Sequence, residues 1–105
     1  MLNKDQAWVE ATPIENTFVC NIGDLLHRWT NGYLASNSHR VINRSANERF
    51  SMPIFFDPDA DATIDSRDFK KFAQDQPKYG PIKVADYIHS KNRKAFAQYG
   101  DPPKK

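Results

Sequence analysis

Three side chains in this sequence have the types and the spacing to do chemistry together: His39, Arg49 and Ser51. They lie in NSHRVINRSANERFSMPIFFDP, residues 37–58, which reads as two strands joined by a short polar turn. In the first run His39, Val41 and Asn43 alternate with Arg40 and Ile42. After Ser45-Ala46-Asn47-Glu48, the second run sets Arg49, Ser51, Pro53 and Phe55 on one face and Phe50, Met52, Ile54 and Phe56 on the other. Side chains two apart share a strand face, so Arg49 and Ser51 point the same way. A guanidinium offers two parallel donors and the hydroxyl adds a third, which makes a receptor for a carboxylate. Folded as a hairpin about Ala46, the runs bring His39 diagonally across from Ser51. A cavity seen by all three then has a metal-ligating imidazole at one end and a carboxylate clamp at the other.

Each of these residues also has a plainer reading. His39 alone in a strand is a half-buried structural histidine, and Arg49 pairs equally well on paper with Glu48 or Asp57. Asn43 and Arg44 line either the pocket or the turn. Tyr33, Met52 and Phe55 read as core, and Cys20 as inert packing inside an apolar run. His27 and His89 have no partner at ligand spacing and read as structural or surface residues.

The elements that must position these residues are short. Ala7 to Glu10 is strand-like, Thr12 to Asn16 is a polar break, and Thr17 to Ile22 is an apolar, β-rich run expected to be a buried strand. Gly23-Asp24 stops it, and Asp24 caps a helical turn through Trp29 with Leu25, Leu26 and Trp29 on one side. Asn31-Gly32 is the strongest two-residue turn signal, because both central positions of such a turn need positive φ. Up to Phe56 the pattern of short strands and turns favours a barrel or sandwich. Four segments follow: 1–58 as a partial β-barrel, 59–81 as an acidic loop and short helix, 82–99 as an amphipathic helix capped by Gly100, and 100–105 as a tail. Phe69 and Phe72 mark the short helix from Asp65 to Gln74, and Val84, Tyr87, Ile88, Ala95 and Phe96 mark the last one.

Bulk properties narrow the class. A chain of 105 residues is one small domain or part of a larger one, and 39% hydrophobic content with 12% aromatics suits a packed core. The formal net charge of +2, with 15 basic and 13 acidic residues interspersed, gives no footprint for nucleic acid. No stretch is apolar enough to span a membrane, and MLNKDQAWVE lacks the apolar run of a signal peptide. With Cys20 as the one cysteine no internal disulfide can form, so a reducing, cytoplasmic setting is expected.

Asp57 to Asp68 imitates a calcium loop, with acids at its positions one, three, five, nine and twelve. Ala62 stands where that loop turns on Gly, Asp68 is shorter than the bidentate Glu, and a Pro53-bearing strand precedes it instead of a helix. A solvated acidic loop is the expectation, with a calcium-binding loop protein as the minor alternative.

The His39-Arg40-Val41 triplet, the Arg49-Phe50-Ser51 triplet ten residues on, and Pro53-Ile54-Phe55-Phe56 together resemble the C-terminal half of a 2-oxoglutarate- and Fe(II)-dependent oxygenase. The resembled subgroup contains isopenicillin N synthase, flavonol synthase and the gibberellin oxidases. Asn21 to Leu26 and Arg28-Trp29-Thr30-Asn31-Gly32 match it too, so the resemblance runs over residues 8–96. It implies a mainly β fold with a C-terminal helix: the C-terminal part of a double-stranded β-helix, or jelly-roll, barrel, incomplete on its own. It also implies Fe(II) held by two His and one carboxylate, with His39 as the second histidine. 2-Oxoglutarate would be the cosubstrate, its distal carboxylate held by Arg49 and Ser51, and O2 would oxidise a small organic substrate.

One departure is decisive. The other two iron ligands in that family form a His-x-Asp or His-x-Glu pair upstream, whereas the one histidine before His39, His27, is followed by Arg28 and Trp29. The expectation is therefore an oxygenase portion, inactive alone, that joins a complementary N-terminal half or a second copy of the chain. A non-catalytic half-barrel acting as an interaction module is the alternative.

Overall fold

In a computed structural model that describes residues 1–96, the ordered elements are α1 (Asp24–Trp29), β1 (Thr63–Ile64), a 3-10 turn (Ser66–Asp68), β2 (Ile82–Lys83) and α2 (Val84–Ala95). The expected cap at Gly100 and the tail lie outside the described residues. Helix α1 starts after Gly23, which is extended, and carries Asp24 in its first turn with His27 and Arg28 in its last, the order that complements the helix dipole. It stops at a paired set of bonds: Gly32 N–H donates to the His27 carbonyl at 2.8 Å and Asn31 N–H to the Arg28 carbonyl at 3.0 Å. Asn31 and Gly32 take φ of 53° and 82°, the left-handed conformation that this helix stop requires. The positive φ expected at Asn31-Gly32 is present, but the pair closes a helix and not a hairpin.

The core is small and lies away from the N-terminal half. Leu25, Ile64 and Val84 are its buried residues, with Trp29, Ala62, Ile82, Tyr87 and Ile88 packed around them. Leu25 and Trp29 are one turn apart on α1, and Val84, Tyr87 and Ile88 fall on one face of α2. β1 and β2 pair antiparallel, Thr63 opposite Lys83 and Ile64 opposite Ile82. The pairing runs on into the helix: Val84 N–H donates to the Ala62 carbonyl and Ala85 N–H to the Ala60 carbonyl, each at 2.9 Å. Two amide groups at the start of α2 are thereby satisfied by the backbone of the acidic loop. Residues 82–83 thus form a strand, and α2 itself runs from Val84 to Ala95. The helix expected from Asp65 to Gln74 is a single 3-10 turn, followed by tight turns through Phe72, which is buried.

The Asp24 carboxylate joins three elements. Its Oδ1 accepts from Ser36 at 2.6 Å, and its Oδ2 accepts from Tyr87 at 3.2 Å and meets Lys91 at 2.5 Å. The hydrogen bonds from Lys91 and Ser36 hold its pKa at about 2, below the ordinary 3.8. Asp24 was expected as the helix cap. It is instead the first helical residue, and its side chain reaches α2.

Several expected strands are not formed. Thr17 to Ile22 forms no strand: Phe18 is 90% exposed, Val19 is 62% exposed and Cys20 is exposed, so neither the buried strand nor the packed cysteine is found. The Ala7–Glu10 strand is reduced to one bridge, Leu2 with Trp8. The turn about Ala46 is made locally, with Asn43 Nδ2 donating to the Asn47 carbonyl at 2.9 Å and Ser45 Oγ to Asn43 Oδ1 at 2.8 Å. Its arms form no ladder, and every residue from 37 to 57 is exposed. A two-stranded hairpin in water is marginal unless a third strand or a helix covers one face, and no described element does so here. Tyr33, Met52 and Phe55, expected in the core, are exposed for related reasons. The radius of gyration, 17.2 Å, exceeds the ~13 Å of a compact domain of this length. No helix among the described residues is long and apolar enough to cross a membrane.

Ile64→Ala is expected to destabilise the chain by about 2–4 kcal/mol in denaturant unfolding, while Phe56→Ala changes it by less than about 0.5 kcal/mol. Equal effects at the two sites would mean that the apolar run around Phe56 is packed in solution. Because folding lowers the Asp24 pKa, its contribution is present above the unfolded value of 3.8 and lost as pH falls toward about 2. Discounted for solvent exposure, Asp24→Asn should cost about 1 kcal/mol at neutral pH, and the difference from the parent should vanish near the acid end of that window.

Candidate active site

His39 and Arg49 line one groove of about 760 Å³. One wall is the N-terminal loop with Met1, Trp8 and Val9, and the other is the segment from His39 to Arg49. The loop closes on itself through Val9 N–H to the Met1 carbonyl at 2.7 Å and Asn3 N–H to the Ala7 carbonyl at 2.9 Å. Gln6, at φ 60°, makes the reversal. Apolar side chains from Val9, Ile14, Val19, Val41 and Ile42 form much of the lining. The charged groups in it are three guanidiniums, Arg40, Arg44 and Arg49, against one carboxylate, Glu10. That balance favours an anionic ligand.

The imidazole of His39 is oriented by its own backbone. Nδ1 lies 3.3 Å from the Asn37 carbonyl, which can only accept, so in this contact Nδ1 is the donor. In the neutral ring Nε2 would then carry the lone pair, and it has no partner among the described residues. An imidazole with one nitrogen bonded to a carbonyl and the other free is the usual state of a metal-ligating histidine. Arg49 is equally uncommitted. The described ion pairs join Asp65 to Arg67, Asp61 to Lys83 and Asp24 to Lys91, so neither Glu48 nor Asp57 takes the Arg49 guanidinium. Ser51 is exposed and lies outside the residues that line the groove. The structure therefore brings two of the three expected residues to one surface. It also separates the roles of the turn residues, with Arg44 in the groove and Asn43 in the turn.

The donor set does not fit a complete iron site. Among the described residues there is no group of three or more His, Cys, Asp or Glu placed to hold a metal ion. His39 alone would supply one of the three ligands such a centre needs.

The other expectations resolve structurally. Across the imidazole of His27, Nδ1 is 2.7 Å from the Leu34 carbonyl and Nε2 is 2.9 Å from the Tyr79 hydroxyl, so both nitrogens brace α1 against later chain. His89 is on the exposed side of α2. In the acidic loop the carboxylates diverge: Asp61 pairs with Lys83, Asp65 with Arg67, and Asp68 accepts from the Trp29 indole at 2.9 Å. A calcium loop would turn its acids toward one centre.

Sequence reasoning missed Trp8 and Arg40. The Arg40 guanidinium sits over the Trp8 indole, 4.1 Å from the ring centroid, and both residues line the groove. Alternation puts Arg40 on the face opposite His39. Nothing in the sequence signals that a residue some thirty positions upstream would cover it.

Comparison with known proteins identifies the family. The family model described as the 2OG-Fe(II) oxygenase superfamily matches residues 1–58. The 2-oxoglutarate-Fe(II) type oxidoreductase hxnY of Emericella nidulans is 36% identical over 91 residues, covering 87% of this chain and 26% of that protein. The homoarginine-6-hydroxylase 2-ODD-233 of Oryza sativa subsp. japonica is 42% identical over 67 residues, 64% of this chain and 20% of that one. A 1-aminocyclopropane-1-carboxylate oxidase of Dictyostelium discoideum is 52% identical over 54 residues, 50% of this chain and 15% of the relative. The chain thus spans about a quarter of the length of the first of these relatives and less of the others. No solved structure gives a significant match.

Residues that bind and do not brace should be neutral to stability. His39→Ala, Arg49→Gln and Ser51→Ala are each expected to leave the unfolding free energy within about 0.5 kcal/mol of the parent. A loss of about 2 kcal/mol or more at Arg49 would reveal a structural partner for its guanidinium.

Proposed function

Because the chain belongs to the 2OG-Fe(II) oxygenase superfamily, we propose that it is the C-terminal portion of a non-haem Fe(II)- and 2-oxoglutarate-dependent dioxygenase that oxidises a small organic molecule. Fe(II) and 2-oxoglutarate are the metal and cosubstrate of the family, and with O2 they supply the oxidising chemistry when bound. The contribution of this chain is one imidazole, His39, and a clamp for the distal carboxylate of 2-oxoglutarate made of Arg49 and Ser51. The observation that carries this reading is the shared groove: an imidazole and a guanidinium, with Nε2 and the guanidinium unpartnered among the described residues, line one largely apolar, cationic groove. Ser51 joins the clamp when residues 49–55 are drawn into a paired strand, since alternation then puts it beside Arg49.

The chain does not turn over alone in this reading, because it holds one of the three metal ligands. The missing His-x-Asp pair comes with a complementary N-terminal half or from a second copy of the chain. The uncovered apolar residues support such a completion: Phe50, Met52, Ile54 and Phe56, which alternation would set on one face of a paired strand, are 85–98% exposed. The jelly-roll barrel characteristic of the family is then formed only in the completed protein. In this reading residues 1–58 contribute to the barrel, with Leu25 of α1 packing on Ile64 and Val84 from the later part of the chain. A lone, exposed Cys20 is consistent with a reducing cytoplasmic setting.

The test is an anaerobic titration with Fe(II) and 2-oxoglutarate, following the metal-to-ligand charge-transfer absorption. The chain alone is expected to give no band. Adding an upstream oxygenase segment that bears a His-x-Asp pair should produce one, and His39→Ala and Arg49→Ala should each abolish it. A band from the chain alone would overturn the division of ligands. No band under any condition would leave a non-catalytic half-barrel that acts as an interaction module.

A further inference from the structure

We propose that Trp8 is a positioning residue for the candidate site, acting through Arg40 to hold the segment that carries His39. The proposal rests on the reading of His39 as a functional ligand. Three contacts carry it. The Arg40 guanidinium lies 4.1 Å from the centroid of the Trp8 ring, within the range of a cation–π interaction. On the other side of His39, Leu2 N–H donates to the Ser38 carbonyl at 2.9 Å. Leu2 and Trp8 are themselves bridged across the N-terminal loop. The residues flanking His39 on both sides are therefore gripped by one loop, Ser38 through a backbone bond and Arg40 through a stacked ring.

The nearby tether to the packed part lies farther back along the chain, where Ser36 Oγ donates to Asp24 Oδ1 at 2.6 Å. Residues 37–57 are exposed throughout and no ladder pairs the arms of the hairpin. The loop thus supplies the tertiary contacts of the two residues next to His39. Loop and segment together wall the groove, since Met1, Trp8, His39 and Arg40 all line it. The stack also uses an arginine that the carboxylate clamp does not, which leaves Arg49 free for an anion. Arg suits this role because its planar guanidinium can lie flat on the indole while its stem stays in the backbone run.

The experiment reads the His39 imidazole directly, without metal. In the 105-residue chain, the carbon–proton NMR signals of the three histidine rings are compared between parent and variants. Arg40→Gln, which leaves the indole in place, should shift the His39 signals while those of His27 and His89 stay fixed. Trp8→Ala should shift them likewise, and Trp8→Phe and Arg40→Lys, which keep a ring and a cation, should return them toward the parent. Unchanged His39 signals in Arg40→Gln would overturn the proposal. So would movement of all three histidines together, which marks loss of the fold and not loss of a local grip. A failed iron titration bears on the functional reading and leaves these signals unaffected.

Discussion

A helix of six residues cannot hold itself in water, because nucleation costs more than so few hydrogen bonds return. Helix α1 exists because nearly every side chain on it is committed elsewhere. Asp24 ties it to Ser36, Tyr87 and Lys91, and Leu25 is buried against Ile64 and Val84. His27 spans from Leu34 to Tyr79, the Arg28 guanidinium donates to the Gly80 carbonyl, and the Trp29 indole donates to Asp68. At its end Asn31 Oδ1 accepts from the Lys78 amide at 2.8 Å. Removing α1 would leave the two-residue strands and α2 with no surface to pack on.

That arrangement separates stability from function along the chain. The packed part runs through α1 and the described residues from 58 to 96. The candidate site lies on residues 4–21 and 37–57, all of them exposed. Strand-borne sites depend on sheet neighbours for their rigidity, because each strand is positioned by the ladder on either side of it. Here the ladders are not made, and a single loop takes their place around His39. The chain has a small packed core and an exposed candidate site.

Family membership fits this division. The match to the oxygenase superfamily covers residues 1–58, the part with the motifs and the exposed apolar face. The likeness to hxnY extends over 91 residues and so takes in much of the packed C-terminal part as well. The apolar content that suits a packed core is present in the sequence, but much of it is exposed in the structure.

Much of the site was legible in the residues themselves. The spacing of His39, Arg49 and Ser51, the chemistry of an imidazole and a guanidinium, and the positive φ at Asn31-Gly32 are local facts, set by side-chain type and by backbone sterics a few residues wide. The face of α2 with Val84, Tyr87 and Ile88 was also set by periodicity alone. What the tertiary structure decided is which of these patterns finds a partner. Alternation made residues 17–22 and 37–56 strand-like, but a strand becomes a strand only when another accepts its hydrogen bonds, and none does among the described residues. Asn31-Gly32 closed a helix because α1 preceded it, and Asp24 reached α2 because packing brought Lys91 beside it. Trp8 met Arg40 only through the folding back of the N-terminal loop, a long-range encounter that no local pattern encodes.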